Sequence, residues 1–266
     1  MFNHVVMTRF NLATPGRELA LRTAHDWLSH RFGLFENYCL PAMIEQTSRN
    51  FNWIIYFDEN TPDEFRHRVE INQKKFPFVA YYTGLFEAEG WARSIRECFP
   101  SDEPLLLSTR LDNDDALARD FVSRLQTAIA EQGFTHGAYN FRNGLIRKKH
   151  RVYAHRHTSN AFFSLLEPNG QGILTASSLK HMDISNKIAV HQIEGPPAWM
   201  QIVHERNVSN KVRGWLLAPE PIKGRFAGAA VDGLTPFSFP RLVWENLVLG
   251  PIRASRDLIA STLRQS

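Results

Sequence analysis

The chain has little that would tie it to an oxidising compartment or to the inside of a membrane. It holds two cysteines in 266 residues, Cys39 and Cys98. They form no metal-binding or redox spacing, so a structural disulfide is not expected and a reducing cytoplasm is the default setting. No apolar run approaches the ~20 residues that a membrane-spanning helix needs. Residues 1–7 lack a basic segment followed by a long apolar core, so the start does not read as a signal peptide. Internal repeats and low-complexity segments are missing too, which excludes a repeat array. His150, His155 and His157 come without cysteines or a fixed ligand spacing, and read as a basic strand surface rather than a zinc site.

What is present describes a globular protein. The chain is 43% hydrophobic and 22% charged, and long enough for one large α/β domain or two small ones. Aromatic content is high at 12%, with 19 Phe. A net charge of +4 and a pI near 9.2 suit an anionic partner such as a nucleotide diphosphate or an acidic membrane surface. The basic residues are too few and too scattered to indicate nucleic acid.

Up to about residue 135, apolar periodicity alternates between strand and helix. Strands are expected at 4–10, 53–58, 78–82 and 104–110, the second apolar enough to be buried on both faces of a parallel sheet. Helices are expected at 15–32, at 34–47 with a break or kink at Pro41, and at 61–73 behind a Thr61 cap with Pro62 following. Two more are expected at 90–99 and from the aspartates to Gly133, with Leu117, Phe121, Leu125 and Ile129 on one face. This alternation is the signature of a doubly wound α/β sheet. Right-handed crossovers would then align Arg9, Asp58 and Asp112 along one sheet edge. Further on, 138–156 reads as strand, turning at Asn143 and Gly144 or at 147–150. Segments 159–166 and 177–182 read as short helices, 196 onward as irregular, and 241–263 as one long or broken helix. Residues 136–266 are expected to extend the domain begun by 1–135 rather than to fold apart.

The most informative stretch is Leu111, Asp112, Asn113, Asp114, Asp115 and Ala116. Three carboxylates within four residues repel one another, so crowding them at a strand end is costly unless a cation sits there. Aspartate oxygens are hard ligands suited to Mg²⁺, Mn²⁺ or Ca²⁺. In an α/β sheet, ligands gather at the carboxyl ends of strands, where this cluster lies. A metal holding a phosphate-bearing substrate is the simplest functional reading. The bland one is that Asp114 or Asp115 caps the next helix, which explains neither Asp112 nor Arg110. An EF-hand loop does not fit, because Ala116 and Leu117 fall where it needs an oxygen ligand and a glycine.

An α/β sheet with such a cluster after a middle strand resembles the GT-A glycosyltransferases, whose Asp-x-Asp motif chelates Mn²⁺ or Mg²⁺ on a nucleotide-sugar diphosphate. Asp112, Asn113 and Asp114 fit that motif. More specifically, the chain is similar to the bacterial putative rhamnosyltransferase family, on residues 4–11 (HVVMTRFN), 53–58 (WIIYFD), 109–117 (TRLDNDDAL) and 197–204 (PAWMQIVH). The resemblance implies a GT-A type, Rossmann-like mixed sheet flanked by helices, with 136–266 as an acceptor-side part. It implies metal-dependent transfer of a sugar, rhamnose by the family's label, from a nucleotide diphosphate donor. The acceptor would be a glycan or lipid-linked molecule in bacterial surface polysaccharide synthesis.

The resemblance also distributes roles. Asp112 and Asp114 would hold the ion, with His204 as third ligand, although a lone His is more often structural. Thr8, Arg9 and Phe10 would border the base, Arg9 stacking on it or bonding it and Phe10 packing it; the alternative is a core Phe and a surface Arg. Asp58 would hold the base or ribose, or simply cap its turn. Arg93 would face the diphosphate, or lie on a solvated helix face. Arg110 would reach phosphate, or form a salt bridge that orients the cluster. Asn207 and Asn210 are candidates for sugar hydroxyls. An inverting enzyme needs a general base for the acceptor hydroxyl: Glu167 is the first candidate and Asp183 the second, though Glu167 equally reads as a helix end before Pro168.

Other classes share these residues. A nucleotidyl or phosphoryl transferase would use the same ion, and a non-catalytic basic module would bind anionic polymers without needing Asp112 or Asp114. The last helix carries Arg241, Arg253, Arg256 and Arg264, which suit anionic headgroups at the inner face of a membrane. Core packing or a dimer contact is the first expectation for it.

Overall fold

In the computed structural model the described residues are 1–13, 21–85, 89–170, 172–179, 181–204, 212–249 and 251, with the side chains of 181–183 outside the description. The first half alternates as expected. Strands β1 (Phe2–Arg9), β2 (Asn52–Asp58), β3 (Val79–Thr83) and β4 (Leu105–Arg110) are separated by α1 (His25–Leu34), α2 (Leu40–Ile44), α3 (Asp63–Lys75) and α4 (Gly90–Cys98). The four strands are parallel. Alternate side chains serve two layers: Val6, Trp53, Ile55 and Phe57 meet Phe32, Phe35 and Phe65, while Val5, Met7, Ile54 and Tyr56 meet Trp91 and Ile95 of α4. Burial on both faces is why β2 reads as a continuous apolar run.

A two-residue strand, β5 (Ala116–Leu117), and α5 (Phe121–Glu131) follow β4. Seven more strands come after: β6 (Gly137–Phe141), β7 (Asn143–Lys148), β8 (Arg151–Arg156), β9 (Ser164–Pro168), β10 (Val190–Ile193), β11 (Trp199–Val203) and β12 (Trp215–Leu216). Three of them complete the first sheet, in the order β10-β6-β9-β4-β1-β2-β3, with β9 antiparallel to both neighbours. The architecture is therefore a mixed α/β sheet flanked by helices. The other four join β5 in a second sheet, ordered β12-β8-β7-β11-β5.

The first departures from expectation come from long-range strand pairing. The aspartates do not run into a helix: Ala116 and Leu117 are fully buried and pair with Met200 and Trp199. Segment 159–166 is not a helix, because Ser164, Leu165 and Leu166 lie between β4 and β6 and are bonded on both sides. Segment 196 onward is largely irregular as expected, but two strands, β11 and β12, interrupt it. Asn143 and Gly144 open β7; the turn lies at Lys149 (φ 54°) and His150. Gly144 answers to packing instead: a Cβ there would stand 2.1 Å from the Trp199 ring, which stacks on Phe162 at 4.9 Å. That close approach seats β11.

Pro41 makes no break. A π-helical turn (Phe35–Cys39) joins α1 to α2 and leaves Pro41 in the first turn of α2, where its missing N–H is tolerated. Thr61 does not cap α3; its hydroxyl donates to the Asp58 carbonyl at 2.6 Å. Segment 177–182 gives way to a 3₁₀ turn (His181–Asn186). Of the two long helices expected, the first begins at His25 among the described residues, with 14–20 outside them. The last is α6 (Phe239–Trp244) with a π turn (Glu245–Leu249), and 252–263 lies outside the described residues.

Candidate active site

The aspartate cluster leaves the carboxyl end of β4 as a tight turn. Asp115 N–H donates to the Asp112 carbonyl at 3.3 Å, and the Asn113 amide donates to the Phe10 carbonyl at 3.2 Å, tying the turn to the end of β1. The three carboxylates then meet three different surroundings.

Asp112 is held by Arg110, whose Nη2 lies 3.1 and 3.0 Å from its two oxygens. Burial pushes the Asp112 carboxyl up, but Arg110, with Arg9 and Arg31 behind it, pulls harder and leaves it below the usual carboxylate range. Arg110 is in turn held further toward its charged form, above all by Asp112. The salt-bridge alternative for Arg110 is thus the geometry observed. Asp114 Oδ2 accepts from Arg31 Nη1 at 3.0 Å and lies 3.0 Å from His204 Nε2; both partners are mostly buried. Asp115 is 3% exposed and accepts the Ile202 N–H at 2.8 Å. Burial first, then Asp114 and Asp112, push its carboxyl well above the usual range. Asp115 therefore ties β4 to β11 as a structural acceptor.

The cation that the crowding demanded is supplied in large part by the protein's own guanidinium groups, Arg31 and Arg110. Asp114 and His204 nevertheless converge, an imidazole from the end of β11 meeting a carboxylate 90 residues earlier in the chain. Among the described residues no three of His, Cys, Asp and Glu converge on one point. Two protein ligands are enough for an ion that arrives with phosphate oxygens, as Mg²⁺ commonly does. The donor set of Asp114 and His204, with Asp112 beside it, fits Mn²⁺ or Mg²⁺ on those terms.

The other candidates divide. Arg9 stands at the end of β1, close enough for its charge to act on Asp112. Arg93 is exposed in the first turn of α4. Thr8 and Phe10 turn inward instead. The Thr8 hydroxyl is fully buried and accepts from Trp53 Nε1 at 3.0 Å, and Phe10 packs at 4.4 Å from Phe32 and 4.9 Å from Phe57. Neither borders an open ligand face. Asp58 is buried, bonded to Arg22, and accepts the Asn60 N–H at 2.7 Å, so it caps its turn.

Glu167 is corrected by register. It sits on β9 opposite Leu106, six residues before Asp112 on the β4 side, which at ~3.3 Å per residue places it about 20 Å from the cluster, toward the other edge of the sheet. Burial does raise its carboxyl, as a base would need, but the distance removes it from the chemistry. The side chain of Asp183 lies outside the described residues, as do Asn207 and Asn210.

Two site residues had no sequence signal of their own. Arg31 and His30 sit in α1, which reads only as an amphipathic helix. The fold brings Arg31 to Asn113 at 3.2 Å as well as to Asp114, and sets the His30 ring edge-on to His204 at 5.2 Å.

Residues 3–215 match the family described as "Putative rhamnosyl transferase". No curated protein matches the chain in sequence. Similar solved structures include S. aureus TarS 1–349, at 9% identity and TM-score 0.44 over 76% of this chain and 60% of that one. The same TarS piece in complex with UDP gives 10% and 0.45 over 76% and 61%. The inositol-1-phosphate CTP transferase from T. maritima gives 11% and 0.37 over 79% and 92%. This chain thus spans about three fifths of the TarS piece. Likenesses this distant leave the assignment to the family match, which covers most of the chain. The chain belongs to the "Putative rhamnosyl transferase" family.

Proposed function

We propose that the chain transfers a sugar from a nucleoside diphosphate donor to an acceptor hydroxyl, using Mn²⁺ or Mg²⁺ held at Asp114 and His204, with Asp112 beside them. The observation that carries this reading is the convergence of Asp114 and His204 at 3.0 Å on the carboxyl edge of the parallel strands. Bound there, the ion would neutralise the charge that grows on the leaving diphosphate. Arg9 and Arg110 add positive charge at the same edge, and Arg110 orients Asp112. Rhamnose is the proposed sugar by family, and a surface glycan or its lipid-linked precursor the proposed acceptor.

Thermal-shift titration with nucleoside diphosphates and nucleotide sugars, with and without Mn²⁺, tests this. At 100 times its Kd a donor stabilises the fold by about 2.7 kcal/mol, a shift of several degrees. The shift should need both ion and nucleotide, and turnover should release an intact nucleoside diphosphate. Pyrophosphate release would point instead to a nucleotidyl transferase. Donor binding or turnover unaffected by EDTA would remove the metal.

One observation favours a membrane-borne acceptor. Phe239, Val243, Trp244 and Leu247 are exposed along the last described helix, beside exposed Arg241. An apolar, aromatic helix face with a cationic neighbour suits an anionic interface. Among the described residues no helix is long and apolar enough to cross a membrane. The protein should co-sediment with phosphatidylglycerol vesicles, and Phe239→Ser with Trp244→Ser should reduce the bound fraction at least fivefold. Equal binding by wild type and double variant would exclude this face.

A further inference from the structure

Asp114 Oδ2 has two close partners, Arg31 Nη1 and His204 Nε2, each at 3.0 Å. A carboxylate oxygen offers about two lone-pair sites, and these contacts occupy both. A divalent ion ligated by both Asp114 and His204 would take the place of their direct contact, and its charge would repel a guanidinium left hydrogen-bonded to the same oxygen. Arg31 has other supports: its Nη1 also reaches Asn113 Oδ1 at 3.2 Å, and its guanidinium lies 5.0 Å from the centre of the Trp27 ring.

We propose that Arg31 and the divalent ion are alternative counter-ions of Asp114, so that ion uptake displaces the guanidinium from that carboxylate. The inference rests on the metal-dependent reading above. Arg31 is then a positioning residue: it holds the acid cluster in shape while the ion is away, and it sets how much free ion the site needs.

Mn²⁺ titration followed by the EPR signal of the free ion, without nucleotide, is the test. Arg31→Gln keeps a hydrogen-bonding side chain but removes the competing charge, and should bind Mn²⁺ about tenfold more tightly, 1.4 kcal/mol being tenfold. Arg31→Lys keeps the charge and should stay within about threefold of wild type. Circular dichroism and melting curves establish that both variants are folded. Asp114→Asn should abolish the tightening in the Arg31→Gln background. Equal or weaker Mn²⁺ binding by Arg31→Gln overturns the exchange while leaving the metal reading in place. No uptake by any of the proteins, even with UDP present, overturns both.

Discussion

Replacing Asp114 by Asn should lower the proposed sugar transfer by roughly 10³-fold, while Asp115→Asn should cost less than about tenfold. The two residues are adjacent and isosteric, so the contrast separates chemistry from structure. Asp114 presents a carboxylate to Arg31 and to His204 at the sheet edge. Its amide would keep the shape but halve the donor set for the ion and leave Arg31 without that counter-charge. Asp115 is buried, its carboxyl is pushed toward the neutral form, and it accepts the Ile202 N–H, a bond that an amide oxygen makes equally well. The measurement is initial-rate kinetics with a saturating donor and Mn²⁺, alongside melting curves. An Asp114→Asn enzyme within tenfold of wild type would remove the cluster from the mechanism. If Asp115→Asn were the more damaging variant at unchanged stability, the roles assigned here would be reversed.

Stability should fall steeply as pH drops from 6.5 toward 3, and His4 should account for much of the fall. His4 is 3% exposed and its pKa is lowered by burial to about 3. Its Nδ1 accepts from the Gln126 amide at 3.1 Å, so Nε2 carries the proton and donates to Thr109 Oγ1 at 2.9 Å, with Ser164 Oγ a further 2.7 Å on. A second proton on Nδ1 would face the Gln126 N–H₂, which is also anchored to the Asn50 carbonyl at 2.7 Å. The folded pKa is below the unfolded one. Above pH 6.5 neither state is protonated and the full stability is present. Between 6.5 and 3 only the unfolded state takes up the proton, which costs the fold up to roughly 4 kcal/mol. Urea unfolding of wild type and His4→Asn at intervals from pH 7.5 to 4 checks this. Asn starts less stable but lacks the titration, so the gap between the two should narrow as pH falls. A gap that stays constant would show that His4 does not carry the dependence. His155, lowered by burial to about 4, titrates in both proteins and cancels in the difference.

Much of the first half was legible from the sequence. Strands such as β2 bury both faces, so their apolar runs record their own environment, and the helices between them show one apolar face. The second half was harder to read for a definite reason. β9 and β11 are short, and what makes them strands is pairing with segments tens of residues away: β4 and β6 for one, β7 and β5 for the other. Local propensity carries no trace of such partners. The same holds for Gly144, which looks like a turn residue until Trp199 is laid across it.

The site divides along that line. The family, the alternating α/β plan and the position of an acid cluster at the end of a parallel strand were readable from residue order alone, because they depend on local periodicity and on residue types. Which aspartate meets which partner depends on the folded chain. It turned Asp112 to Arg110, buried Asp115 under Ile202, and brought Arg31 and His204 to Asp114. It also sent Thr8 and Phe10 into the core and placed Glu167 at the far edge. A carboxylate's charge and role are set by the groups that reach it through space, and those arrive from α1 and β11, which only the folded sheet brings to the end of β4.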